Sequence, residues 1–203
     1  MKIYNNFENE IPKKLFLAGI HGSESKYTSQ ILENLQKNIL NLKTFGNIII
    51  VSELVNDSKY YSTLNPEYYE TETGKSLLEL IGKYKPEFYF EIHSYSKKSY
   101  SNLTELKRVD LKGIPPFVDL NNGVLMASIS PILRGKFKKT DLCMTIEVPN
   151  WKVDEVEKTV LEILEFGITS KNKNGMVEKI FNKYPKEVSY AKWLADEFNL
   201  TFL

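Results

Sequence analysis

Only two histidines occur in this 203-residue chain, His21 and His93, so any imidazole chemistry must use one or both. His21 stands in Leu15-Phe16-Leu17-Ala18-Gly19-Ile20-His21-Gly22-Ser23-Glu24, an apolar run that breaks at glycine and is followed by a histidine and then a carboxylate. His93 ends a second run in Phe90-Glu91-Ile92-His93-Ser94, and a third run carries a carboxylate in Thr145-Ile146-Glu147-Val148-Pro149. A catalytic zinc ion commonly takes three protein ligands, often two His and one Glu, and keeps one position for water. His21 and Glu24 have a suitable spacing: if Glu24 lies in a first helical turn, positions three apart share a face. His93 is then the third ligand. Glu91 points to the same side of its strand as His93 and can accept a hydrogen bond from the ring nitrogen that a metal leaves free, fixing the tautomer. Glu147 can take a proton from water and hand it to a leaving amine.

Each of these residues has a plain alternative. His-x-x-Glu arises often by chance, a single histidine at a strand end is more often a core-edge residue, and Glu147 alone reads as an edge-strand charge. The conjunction favours a metal site, because both histidines fall at the ends of buried runs and each has a carboxylate within three residues.

These residues need elements that bring them together, and the apolar pattern supplies them. Residues 14–20 read as a buried strand. Gly19 and Gly22 allow a sharp turn and a close backbone approach. A helix over 24–42 places Tyr27, Ile31, Leu35, Ile39 and Leu42 on one face, and 47–51 is a second strand. Strand, helix and strand in this order predict a parallel pair. Residues 52–70 read as a surface loop. Thr71 caps a helix that carries Leu77, Leu78, Ile81 and Tyr84 and stops at Pro86. Residues 88–92 form a third strand that delivers His93. Residues 95–123 show no regular element, although Asn122-Gly123 signals a tight turn into a strand over 124–129. Loops at Ser130-Pro131 and Arg134-Gly135 precede a strand over 142–148. Asn150 then caps a helix bearing Val153, Val156, Val160, Ile163 and Leu164, and a tail of one or two short helices begins near Gly175, with Leu194 and Phe198 facing inward. The result is one α/β domain over 1–203, whose sheet presents ligands at the carboxyl ends of its strands.

Composition narrows the partners. A chain with 42% hydrophobic and 26% charged residues is an ordinary globular one. A net charge of +1 points to no nucleic acid and no anionic membrane. No apolar run is long enough to span a bilayer, and the N-terminus has no signal-peptide core. The single cysteine, Cys143, excludes an intrachain disulfide and fits a reducing, cytoplasmic setting, with Cys143 a small buried hydrophobe. The strand-helix-strand opening also suits a nucleotide- or flavin-binding domain, but Gly19-x-x-Gly22 lacks the dinucleotide fingerprint.

Gly19-Ile20-His21-Gly22-Ser23-Glu24, Glu91-Ile92-His93-Ser94 and Thr145-Ile146-Glu147-Val148, in this order, resemble the signatures of the zinc carboxypeptidase superfamily. Within it they are similar to the succinylglutamate desuccinylase/aspartoacylase-like branch, and more narrowly to a compact archaeal group of that branch. The resemblance covers about the first 170 residues, through three short blocks. It implies a three-layer phosphorylase/hydrolase-like fold with a mixed, mostly parallel sheet. It implies one zinc ion per chain on His21, Glu24 and His93, with Glu147 as general base and acid. The reaction it implies is hydrolysis of an amide next to a carboxylate in a small N-acyl amino acid or peptide-like substrate. The chain departs from the pattern where the family places an Asn-Arg pair to grip a substrate carboxylate: Asn65-Pro66 stands there, with no arginine. Of the two arginines, Arg108 and Arg134, Arg134 precedes the Glu147 strand and is the expected substitute clamp, since arginine suits bidentate carboxylate contacts. Lys59 is a weaker cationic candidate. Six tyrosines flank the expected site, at 60, 61, 68, 69, 95 and 100, and any of them could donate to an oxyanion. The missing pair also motivates an alternative, a non-catalytic metal- or ligand-binding protein on the same scaffold.

Overall fold

The structure is a computed structural model that describes residues 2–5, 11–54 and 59–198. A seven-stranded mixed sheet runs through it in the order β1-β3-β2-β4-β7-β6-β5. The strands are β1 (Lys2–Asn5), β2 (Lys13–Ala18), β3 (Asn47–Glu53), β4 (Phe88–Tyr95), β5 (Val118–Asn121), β6 (Val124–Ser128) and β7 (Leu142–Pro149). The expected parallel pairing of β2 with β3 is present, and β4 and β7 extend the parallel set. β1, β6 and β5 run antiparallel to their neighbours.

Strand residues alternate between two helical layers, which makes the three-layer α/β architecture expected from the sequence. Phe16, Ala18, Ile50, Phe90 and Ile92 face α1 (Ser25–Asn38), α6 (Val153–Ile168), α7 (Lys173–Lys183) and α8 (Pro185–Glu197). Leu15, Leu17, Ile49, Val51 and Tyr89 face α2 (Glu72–Tyr84) and the single turn α5 (Pro131–Arg134). β4 and β7 are central and covered on both sides, so their runs are almost continuously apolar. The polar exceptions in those runs are therefore informative.

Local signals mostly hold. The Thr71 hydroxyl accepts from the Gly74 N–H at 3.0 Å and caps α2. Lys85, in the left-handed region at φ 48°, ends that helix one residue before Pro86. Asn122 and Gly123, both at positive φ, turn β5 into β6. Other boundaries move. α1 stops at Asn38 and continues as a 3-10 turn. α6 begins at Val153 with Lys152 at its cap, not Asn150. α5, capped by the Ser130 hydroxyl, replaces an expected loop. The stretch 95–123 holds α3 (Tyr100–Thr104), α4 (Lys107–Lys112) and β5. Part of the loop expected over 52–70 is a 3-10 helix at Pro66–Glu70, and residues 55–58 of that loop lie outside the described residues. Among the described residues no helix is long and apolar enough to cross a membrane.

Lys14 is fully buried at the start of β2. Its Nζ donates to the carbonyls of Gly167, Ile168 and Ser170 at 2.7, 2.7 and 2.6 Å. An ammonium has three donors, and here each meets an acceptor at the negative end of α6. Burial, and then Lys179, draw its pKa down to about 7, so these carbonyls help keep the charged form at neutral pH. Lys14→Met would take this donor from all three carbonyls in the interior, leaving the Ile168 carbonyl with the Phe45 N–H at 3.3 Å. The expected loss is about 3 kcal/mol of unfolding free energy in urea titration. An unchanged midpoint would contradict this capping role.

Candidate metal centre

The site is built at the carboxyl ends of the parallel strands. β2 ends at Ala18, and the chain turns through Gly19 (φ 64°) and Gly22 (φ 57°), left-handed positions that favour glycine. A Cβ on Gly19 would also meet the Ser25 side chain at 3.1 Å. His21 lies between these turns. Tyr68, from the 3-10 helix, donates to the Ile20 carbonyl at 2.9 Å and pins the turn from the α2 side. Glu24 occupies the N-cap of α1 with helical backbone angles, so its side chain turns back beside His21. Glu91 and His93 lie two apart on β4 and share a face. In the parallel ladder, Thr145 of β7 stands opposite Glu91 and Glu147 stands opposite His93.

His21, Glu24 and His93 are buried and offer ligand atoms all within 4.8 Å of one another. Glu24 Oε2 lies 3.5 Å from His21 Nδ1 and 3.2 Å from His93 Nδ1. Ligand atoms around a tetrahedral zinc are separated by roughly 3.3 Å, given bonds of about 2.0–2.1 Å. The other carboxylate oxygen, Oε1, accepts from the Ser94 N–H at 3.3 Å, which holds Oε2 toward the histidines. Both Glu24 Oε2 and His21 Nδ1 are shut from solvent with no hydrogen-bond partner. Unpaired buried polar atoms are costly, and a cation between them would satisfy both. The residues therefore fit a metal ion. Among the described residues this is the one cluster of its kind.

Glu91 is held on three sides. Tyr89 Oη donates to Oε2 at 2.9 Å, Thr145 Oγ1 donates to Oε1 at 2.6 Å, and His93 Nε2 lies 3.3 Å from Oε1. The last contact is too poorly aligned to count as a full hydrogen bond, since Nε2 is otherwise without a partner. It still leaves Nδ1 as the nitrogen that faces Glu24. Burial opposes the charge on Glu91, but His93, Thr145 and Tyr89 together hold its pKa below the usual carboxylate value.

The two imidazoles are driven apart electrostatically. Burial, and then His93, lower the His21 pKa to about 4. Burial also opposes charge on His93, but Glu24 and Glu91 outweigh it and hold His93 well above the ordinary histidine range. His21 thus offers a lone pair at neutral pH, whereas His93 carries a proton that a metal must displace. Below the raised pKa the proton competes with the metal, so affinity should fall by about tenfold per pH unit as acid is added. Zinc titration calorimetry in buffers of different ionisation enthalpy should show roughly one proton released per ion near neutrality. No proton release would contradict the protonated state of His93.

Burial is also the main influence on Glu147. It raises the pKa to about 7, with Glu24 and Glu91 adding and His93 and Arg108 opposing. Its Oε2 is shielded and has no hydrogen-bond partner.

The family described as "Uncharacterized protein conserved in archaea (DUF2119)" matches residues 9–200. The chain belongs to that family. A protein of Methanocaldococcus jannaschii described as "Uncharacterized protein MJ0501" is 44% identical over 203 residues, covering 98% of each chain. Among solved structures, an aspartoacylase family protein from Mesorhizobium loti is similar with a TM-score of 0.49 and 13% identity, over 83% of this chain and 62% of that one. A metallo-carboxypeptidase from Pseudomonas aeruginosa, in complex with (2-guanidinoethylmercapto)succinic acid, has a TM-score of 0.48 and 11% identity, over 80% and 58%. The DUF2119 chain thus spans about six-tenths of the length of each of these two structures.

Arg134 of this DUF2119 chain is not at the metal centre. Its guanidinium donates to the carbonyls of Lys138 at 2.8 Å, Lys139 at 3.2 Å and Asp141 at 3.4 Å, tying down the loop before β7. That loop adjoins the start of β7, and Glu147 lies five positions beyond Leu142, roughly 16 Å along an extended strand. Asn65 is exposed at the cap of the 3-10 helix, and Lys59 lies over the Tyr61 ring at 4.8 Å. Cys143 is buried with its thiol pushed up to about 12, chiefly by burial, which suits an inert core residue.

Of the six flanking tyrosines, Tyr60 meets the His21 ring edge-on, with centroids 4.6 Å apart. The structure also adds residues that the motifs did not single out. Tyr89 and Thr145 could have been found by counting in twos from Glu91 and Glu147, because alternate strand residues share a face. Arg108, in the stretch without pattern, lies at the same end of the sheet, close enough for the Glu147 carboxylate to favour its charge.

Proposed function

We propose that this chain is a single-domain zinc-dependent amide hydrolase, of metallocarboxypeptidase or deacylase type. Its substrate is a small N-acyl amino acid or peptide-like molecule. His21, Glu24 and His93 hold one zinc ion, Glu91 orients His93, and Glu147 is the general base and acid. The observation that carries this reading is the meeting of both histidine Nδ1 atoms on the single unpaired oxygen of Glu24, with Glu147 on the neighbouring strand directly beside His93.

When bound, zinc supplies Lewis acidity that polarises a carbonyl oxygen and brings the pKa of water toward ~7. The protein does the proton work. Glu147 takes the proton of the attacking water at Oε2, the oxygen that has no other partner, and delivers it to the departing nitrogen. A carboxyl group near pKa 7 can both accept and return that proton. Tyr89 and Thr145 keep Glu91 in place, so that His93 presents Nδ1 throughout.

Zinc-loaded protein should release free amine from members of a panel of N-acyl amino acids and short peptides. If zinc binds and none of the panel is cleaved, the binding-protein alternative takes its place. If calorimetry finds no uptake of zinc, both readings of the centre fail.

A further inference from the structure

We infer that Tyr60 is a positioning residue of the metal centre: its ring packs edge-on against His21 and holds that imidazole in the ligating orientation. The inference rests on the metal-centre reading above and adds to it how the first ligand is oriented. The two histidines are supported differently. His93 has Glu24 on its Nδ1 side and Glu91 on its Nε2 side. His21 meets Glu24 at Nδ1, the side that faces the ion. Among the described residues no second carboxylate stands behind His21 as Glu91 stands behind His93. A ligating histidine is usually fixed by a hydrogen bond from its far nitrogen. Here two tyrosine rings stand at right angles to the imidazole instead. Tyr60 is 4.6 Å away between centroids at an interplanar angle of 85°, and Tyr68 is 6.3 Å away, also at 85°. Both distances lie in the range over which perpendicular aromatic pairs attract.

Tyr68 is buried and bonded to the Ile20 carbonyl, so it shapes the turn as well as touching the ring. Tyr60 is different. It is 65% exposed, yet the His21 it covers is only 9% exposed. Its own burial contributes little, so its place over the imidazole comes from its neighbours. Tyr61 packs against the core on the α2 side. Tyr69 Oη donates to the Thr63 carbonyl at 2.9 Å, and the Asn65 N–H donates to the Ser62 carbonyl at 3.0 Å. From the other side, Gly22 offers bare backbone: a Cβ there would touch Tyr60 Cβ at 3.6 Å and its ring at 3.7 Å. Tyr60 is thus seated on the His21–Gly22 turn by anchors that do not depend on its own side chain. The hydroxyl takes no part in the ring contact, so the ring alone should suffice.

The test compares Tyr60→Phe, which keeps the ring, with Tyr60→Leu, which removes it. The position is largely exposed, so both variants should fold, and far-UV circular dichroism checks that they do. Zinc affinity, read by competition with a chromophoric chelator, should be the same in Tyr60→Phe as in the parent. It should fall roughly three- to tenfold in Tyr60→Leu. A second readout needs no metal. The chain has only His21 and His93, so two sets of imidazole signals appear in nuclear magnetic resonance spectra of the metal-free proteins. Those of His21 should shift in Tyr60→Leu and stay close to the parent in Tyr60→Phe, while those of His93 stay in place in both. A Tyr60→Leu protein that binds zinc like the parent overturns the inference. So does a Tyr60→Phe protein weakened as much as Tyr60→Leu, or a His21 signal that ignores the loss of the ring. Failure of the parent to take up zinc would instead overturn the metal-centre reading, and the metal-free signals would still decide whether Tyr60 fixes the His21 ring.

Discussion

His93→Ala is expected to lower zinc affinity by more than the ~10–100-fold that loss of a residue orienting a ligand costs. His93 is not replaceable by a neighbour, because the chain has no third histidine and its one cysteine, Cys143, is a buried core residue of β7, outside the ligand cluster. Its removal also leaves Glu24 and Glu91 facing one another without the imidazolium that compensates both. The metal-free variant should therefore be less stable than the parent as well as weaker in zinc binding. Chelator competition gives the affinity, and far-UV circular dichroism establishes that the sheet is intact. A folded His93→Ala protein that binds zinc like the parent would remove His93 from the ligand set.

Glu147→Gln separates binding from chemistry. The amide keeps the shape of the side chain but cannot accept a proton. Turnover of any substrate found for the zinc-loaded protein should fall by about 10²–10⁴-fold, the usual contribution of a general base, while zinc affinity changes little. In the parent, the base must be ionised to act. Burial raises its pKa to about 7, and Glu24 and Glu91 push in the same direction. The rate should therefore climb with pH on its acid side, with a midpoint at or below about 7, because a bound cation favours the ionised carboxylate. A variant that keeps full turnover, or an acid limb lying well above that value, would show that another group takes the proton.

Most of the metal end of the site is legible in the sequence. Central parallel strands are apolar on both faces, so a histidine or carboxylate within or just beyond such a run has few structural explanations. That is why His21, His93, Glu91 and Glu147 stand out. Gly19 and Gly22 mark the turn for the same local reason. The other end of the site is not legible. α3 and α4 are only five and six residues long, too short to be stable alone or to show an apolar period. α3 is placed by Leu103, which packs against Tyr95, Phe117 and Leu125. Arg108 inherits that opacity. Arg134 fails for a reason that strand geometry already contains: a loop leading into a parallel strand lies at the end opposite its catalytic edge. The β1 edge strand has four residues and no distinctive pattern, and its place beside β3 depends on pairing alone.

The hydrogen bond from the Ser94 amide to Glu24 Oε1 joins the start of α1 to the end of β4, 70 positions apart in the chain. Together with the bonds that hold the Glu91 carboxylate, it ties the orientation of the candidate ligands to the formation of the sheet. Small zinc domains assemble around their metal and collapse when it is withdrawn. The proposed zinc centre is expected to differ: a chelator should withdraw its ion while far-UV circular dichroism shows the framework around it still folded.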